Sequence, residues 1–172
     1  MAVRPILIYP DPGLRRKAKQ VQGITEEVFA LVRDMLETMR AAPGIGLAAP
    51  QVGVGLRVIV ADPSSGEDPK AVLALINPVI LSTEGSSVAE EGCLSLPEVS
   101  EEVERAERVT VQAESPDGRK VEVEAEGLLA RILQHEVDHL DGTLLIDHLN
   151  GVKRELVEQK LRKRQREAVE AS

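Results

Sequence analysis

The sequence predicts an α+β fold on three observations. An amphipathic helical stretch near the start is followed by a series of short β candidates. Two further helical stretches close the chain. Nowhere do strands and helices alternate as they do in a βαβ series, which argues against a parallel sheet. At 172 residues the expectation is one domain over 1–172, long enough to bury a substantial core.

Each element follows from spacing. Pro10 to Gly13 and Pro43 to Gly55 read as loops punctuated by Gly and Pro. Between them a helix starts near Thr25, a side chain suited to N-capping. Val28, Leu31, Val32, Met35, Leu36 and Met39 would share one face of it. Leu56 to Ala61 and Val72 to Ile80 are apolar runs separated by a polar loop, and both read as strands. Val109, Val111 and Ala113 alternate with polar residues, as do Val121, Val123 and Ala125. Ser115-Pro116-Asp117-Gly118 lies between them, so the pair reads as an antiparallel hairpin. A second helix is expected from about Gly127 to Leu140, and a third from about 153 to 168. Val152, Leu156 and Leu161 are assigned to the inner face of the third.

Composition narrows the class. One Tyr, one Phe and no Trp leave the core to Leu, Val, Ile and Ala. They also leave nothing to stack on the bases of a single-stranded nucleic acid. The single cysteine, Cys93, excludes an intramolecular disulfide and fits a reducing cytoplasm. The apolar stretch Pro5 to Pro10 is too short for a signal-peptide core, and no window suits a membrane span. A soluble cytoplasmic protein is expected. The net charge of −8 is unevenly spread: residues 151–172 carry +3 and the other 150 carry −11. Any contact with nucleic acid would fall to the basic tail.

Chemistry concentrates in three segments. His135-Glu136-Val137-Asp138-His139 matches H-E-x-x-H. Helical residues i and i+4 sit one above the other, so both imidazoles can reach one metal ion. Glu136, turned about 100° from His135, can reach past them toward a bound water. Leu128 and Ile132 share the histidine face, while Leu129, Leu133 and Leu140 widen the apolar surface. Two ordinary helix histidines are the alternative, but the chain has only three histidines and two fall in this pattern. A catalytic tetrahedral site takes three protein ligands and leaves one position open. Glu91-Gly92-Cys93-Leu94-Ser95 offers a thiolate as the third. Cys93 could equally be a small buried hydrophobe or a nucleophile with a histidine base. Gly44-Ile45-Gly46-Leu47-Ala48-Ala49-Pro50-Gln51 permits close approach of a ligand at its glycines. It also carries in Gln51 a neutral amide donor for an oxyanion. By itself the segment reads no differently from a connection between helix and strand.

Taken together and in order, these segments resemble the three motifs of the peptide deformylase family: G-Φ-G-Φ-A-A-x-Q at Gly44 to Gln51, E-G-C-Φ-S at Glu91 to Ser95, and H-E-x-x-H at His135 to His139, with Φ apolar. Tyr9 to Arg15 resembles the family's N-terminal segment, and Gln134 and Leu140-Asp141-Gly142 resemble the flanks of its third motif. The resemblance implies antiparallel β-sheets around a central helix carrying the histidines, followed by a C-terminal helix. It implies Cys93, His135 and His139 as metal ligands, with Fe²⁺ as the physiological ion and Zn²⁺, Ni²⁺ or Co²⁺ able to substitute. It implies Glu136 as general acid and base, with Gln51 and the Leu94 N–H as oxyanion donors. The substrate would be the formylmethionyl terminus of a nascent polypeptide, with formate released. Gly46, Ile45 and Leu128 are the candidate substrate-lining residues, and Leu96 to Val103 a candidate edge for pairing with an extended peptide. Arg131 is too polar for the pocket list. Glu98 to Glu107 reads as a solvated acidic edge, and Asp138 as either a residue orienting a neighbour or a surface residue. Lys153, Arg154, Lys160, Arg162, Lys163, Arg164 and Arg166 make the last helix basic. In this family that region can dock on the ribosome, and a solvated helix face explains the same charges. The rivals are a metallopeptidase using a downstream ligand such as His148, and a catalytically silent metal-binding or ribosome-associated module.

Overall fold

The structure, a computed structural model, describes residues 2–171; Met1 and Ser172, the ends of the expected 1–172 unit, lie outside the described residues. The order is α1 (Glu26–Ala41), β1 (Gly46–Ala48), β2 (Val58–Ala61), β3 (Leu73–Glu84), β4 (Ser87–Cys93), β5 (Leu96–Arg105), β6 (Arg108–Glu114), β7 (Lys120–Glu126), α2 (Gly127–Leu140) and α3 (Gly151–Ala171). Five strands form an antiparallel sheet in the order β1-β2-β3-β6-β7, and β4 and β5 form a separate hairpin. The α+β expectation holds, with antiparallel sheets around α2.

Thr25 caps α1 by accepting from the Val28 N–H at 3.4 Å. Of the six apolar residues expected inside, five are buried and Leu36 is half-buried. Strand β2 is buried along its whole length. Val58 and Val60 pack toward α1, while Ile59 and Ala61 pack with Ala130, Leu133, Val137 and Leu140 of α2. Period-2 alternation of side chains thus puts one strand between two helices. The β6–β7 hairpin forms in the register Val109↔Ala125, Val111↔Val123, Ala113↔Val121. A third apolar group joins Leu96, Val99 and Val103 of β5 to Leu144–Ile146 and to Val157 and Leu161 of α3.

Three expectations need correction. Pro43 to Gly55 is not all loop, because Gly46–Ala48 pairs with β2 and Ala49–Val52 forms a 3-10 turn. Strand β3 continues to Glu84, past the apolar run. Its exposed end is held by backbone pairing to β6, which needs no apolar side chains. On α3, Val152 (72% exposed) and Leu156 (60%) face outward, and Val157 and Leu161 are the buried pair. The acidic edge expected at Glu98 to Glu107 is present on a strand that takes in Leu96 to Val103: β5 places Glu98, Glu102 and Glu104 outside and turns Val99, Val103 and Arg105 inward.

Candidate active site

Helix α2 runs with nine of its 14 residues buried, among them His135, Glu136 and His139. The β4–β5 hairpin carries Cys93 at its turn, opposite Leu96. The two elements meet so that one donor atom each from Cys93, His135 and His139 lies within 4.8 Å of the others. The Cys93 Sγ is 3.4 Å from His139 Nε2. His135 uses Nδ1 for Glu91 Oε1 at 2.9 Å, so its Nε2 is the nitrogen left for the cluster. A sulfur and two imidazoles at this spacing suit a divalent transition metal, and the set fits such an ion. His148, the downstream alternative, pairs instead with Asp138 at 2.8 Å and is absent from the cluster.

Electrostatics differ at each side chain. For His135, burial opposes protonation, but Glu136, Cys93 and Glu91 outweigh it and hold its pKa well above the ordinary value. For His139, burial, with the positive charges of His135 and Arg105, holds the pKa well below the ordinary value. Burial pushes Glu136 up to about 7, against the pull of His135. Its Oε1 has no hydrogen-bond partner, and neither does His139 Nδ1. A buried carboxyl poised near neutrality can both accept and return a proton.

The first motif is shaped by close approach. A Cβ on Gly46 would collide with Glu136 Oε2 and lie 2.9 Å from Ile132 Cγ2, and one on Gly44 would lie 2.8 Å from Leu94 Cδ1. At Gly46, where both neighbours are buried on α2, glycine leaves the room these side chains occupy. Gln51 is buried, with its Oε1 accepting from the Ala48 N–H at 2.9 Å. That bond turns its Nε2 to Ser95 Oγ at 3.1 Å and toward Cys93 Sγ at 3.7 Å. Leu94 follows Cys93 in the β4–β5 turn.

A cavity of about 380 Å³ opens over this cluster and is lined by Ile45, Gly46, Gln51, Leu94, Leu128 and Glu136 among others. The candidate lining residues therefore do meet at one place. Leu128, however, is 49% exposed and sits at the rim, not in the core beside the histidines. Arg131, set aside as too polar, also lines the cavity and is buried. Its charge is met by Glu91 Oε2 at 2.6 Å, and it also donates to Val103 O at 2.8 Å.

Glu91 is the functional residue that sequence reasoning passed over as a motif letter. It accepts from Arg105 Nε and Nη2 at 2.6 and 2.9 Å, from Arg131 and from His135. Burial raises its pKa, yet these bonds win and bring it down to about 2. A carboxylate that holds the far nitrogen of a ligating histidine fixes the tautomer and ring orientation. Asp138 accepts from Arg105 Nη1 at 2.9 Å, so it belongs to this network and not to the open surface.

A model of the polypeptide deformylase family matches residues 3–155. The chain belongs to this family. It is 51% identical over 166 residues to the peptide deformylase of Acidobacterium capsulatum, covering 96% of this chain and 98% of that one. Among solved structures, a peptide deformylase from Legionella pneumophila superposes with a TM-score of 0.91 at 45% identity, covering 97% of this chain and 98% of that one. One from Ehrlichia chaffeensis, solved in complex with actinonin, superposes with a TM-score of 0.90 at 37% identity over 96% and 99%. Both superpositions extend over nearly the whole of this chain. No helix of the described residues is long and apolar enough to cross a membrane.

Proposed function

We propose that this chain, acting as one catalytic unit, removes the formyl group from the N-terminal formylmethionine of nascent polypeptides by metal-dependent hydrolysis in the cytoplasm. The carrying observation is the buried, unpartnered Glu136 Oε1 beside a Cys93–His135–His139 cluster at the edge of a cavity, in a chain of the deformylase family. Cys93, His135 and His139 would hold the ion, physiologically Fe²⁺, with Zn²⁺, Ni²⁺ or Co²⁺ as substitutes. A divalent ion there supplies Lewis acidity toward the formyl oxygen and the attacking water.

The side chains do the rest. Glu136 accepts a proton from the attacking water, which its pKa of about 7 permits. As water adds to the formyl carbon, negative charge grows on the carbonyl oxygen. Gln51 Nε2, fixed through Ala48, and the Leu94 N–H are the donors that meet it. Glu136 then returns its proton to the departing amine nitrogen, so that formate and a free α-amino group result. Ile45 and Leu128 offer apolar surface to the methionine side chain, and Gly46 keeps the floor of the pocket low enough for the peptide to approach Glu136. The basic α3 is a candidate for docking on ribosomal RNA phosphates.

The test is formate release from formyl-Met-Ala-Ser by anaerobically purified, metal-loaded protein, run beside Glu136→Ala. Turnover by the wild type with a loss of roughly 10²–10⁴-fold in the variant is expected. A folded, metal-loaded wild type that releases no formate would overturn the reading.

A further inference from the structure

Helix α2 has a second polar surface, away from the cavity just described. There a separate cavity of about 500 Å³ is lined by Arg105, Gln134, Asp138 and His148, among others. His148 closes the 3-10 turn Leu145–His148, which connects α2 to α3. Its neighbour Asp147 accepts from Arg15 and from the Leu144 N–H, and pairs with Arg154 of α3 at 3.2 Å. The turn is therefore anchored from three sides, and His148 projects from a fixed base.

From His148 a chain of hydrogen bonds runs to the metal-ligand cluster. His148 Nε2 lies 2.8 Å from Asp138 Oδ2. The same oxygen accepts from Arg105 Nη1 at 2.9 Å. The other edge of that guanidinium grips both oxygens of Glu91, and Glu91 Oε1 accepts from His135 Nδ1 at 2.9 Å. Every link is within ordinary hydrogen-bond length. The interior members are well buried, with side-chain exposures of 4% for Arg105 and 6% for Glu91. A planar fork held at both edges has one orientation; held at one edge only, it can pivot. Asp138 supplies the second edge and is itself tethered by His148.

We propose that His148 is a positioning residue for the metal centre: through Asp138, Arg105 and Glu91 it fixes the orientation of the His135 imidazole. The inference rests on the reading that Cys93, His135 and His139 hold a metal. Glu91, in direct contact with His135, belongs to the class of partners whose loss costs about 10–100-fold in metal affinity. His148 acts from three links further out, and a smaller effect, about 3- to 10-fold, follows.

The experiment uses the full chain loaded with Co²⁺, whose visible absorption reports the geometry of its ligands. Release of Co²⁺ to a chelator, the Co²⁺ absorption spectrum and the thermal midpoint of the metal-free protein are compared for wild type, His148→Ala and His148→Gln. Expected are about 3- to 10-fold faster release and altered absorption bands in His148→Ala, with the metal-free midpoint little changed. His148→Gln, which keeps a donor for Asp138, should restore both release and spectrum. Unchanged release and spectrum in His148→Ala overturn the proposal, as does a defect that His148→Gln shares in full. A wild type that binds no Co²⁺ would overturn the metal reading itself, and this inference with it.

Discussion

Helices α2 and α3 are neighbours in sequence and opposites in physics. In α2 nine of 14 residues are buried, and Arg131, His135 and Asp138 are paired with Glu91 or Arg105 while Glu136 Oε1 has no partner. In α3 two of 21 are buried, Val157 and Leu161, and its charges meet partners at the surface. Arg154 pairs with Asp147 and Glu158, and Arg164 with Glu98. Both helices are rich in ionisable residues, yet the same chemistry carries different weight in each. Charges around α2 interact in a medium with little water, where a missing partner leaves the other charge exposed to the full cost of burial. Charges on α3 exchange one aqueous partner for another.

The sharpest way to break that comparison is Glu91→Ala. It would leave Arg105 and Arg131 without their shared carboxylate and His135 Nδ1 without its acceptor. A loss of about 3–5 kcal/mol in unfolding free energy is expected, measured by denaturant titration. A loss below about 1 kcal/mol, the value typical of surface pairs, would erase the distinction between the helices.

Acid should act on the same network. The Glu91 pKa is depressed in the folded state, from 4.5 to about 2. Its contribution is therefore present above pH 4.5 and is lost as pH falls toward 2. The shift corresponds to about 3 kcal/mol. Unfolding free energies measured from pH 5 downward should fall more steeply for the wild type than for Glu91→Gln, which has no proton to take up. Parallel curves would show that Glu91 is not the group responsible. The smallest effect belongs to α3: Arg154→Ala should cost under about 1 kcal/mol, since its side chain is 40% exposed and solvent screens its ion pairs. A larger loss would make the α3 contacts as consequential as those of α2.

The two helices also differ in how far the sequence revealed them. The α2 pattern carried both its apolar periodicity and the His135–His139 spacing, so its bounds and its candidate ligands could be read directly. On α3 the residue pairs Val152–Leu156 and Val157–Leu161 have the same i,i+4 spacing. Only the position of β5 and of Leu144–Ile146 decides which pair is covered. The segment Leu96 to Val103 could be read as a strand edge, but its pairing with β4 was hidden for a different reason. The inward positions of the β4–β5 hairpin include Glu91 and Arg105, so the apolar alternation that marks a strand is interrupted by the charges that hold His135. Arg131 was misjudged on the same ground. Its partners Glu91 and Ser87 lie 40 and 44 residues away in sequence, and no local pattern announces such a pairing. Gly46 could be recognised as permissive, but not that the atom it makes room for belongs to Glu136, 90 residues on.

The scarcity of aromatic residues has an optical consequence. Phe29 is 40% exposed, so no benzene ring is buried in the core. Tyr9, the only tyrosine, packs against the apolar group that joins β5, Leu144–Ile146 and Leu161 of α3. With no tryptophan to mask it, ultraviolet emission from this chain comes from one phenol at one junction. That fluorescence therefore observes the seam between the N-terminal segment, the β4–β5 hairpin and α3, while circular dichroism averages over every helix and strand. Coincident melting curves by the two methods would mark a single cooperative unit, and a phenol signal that changed first would locate the opening of the fold at that seam without any introduced label.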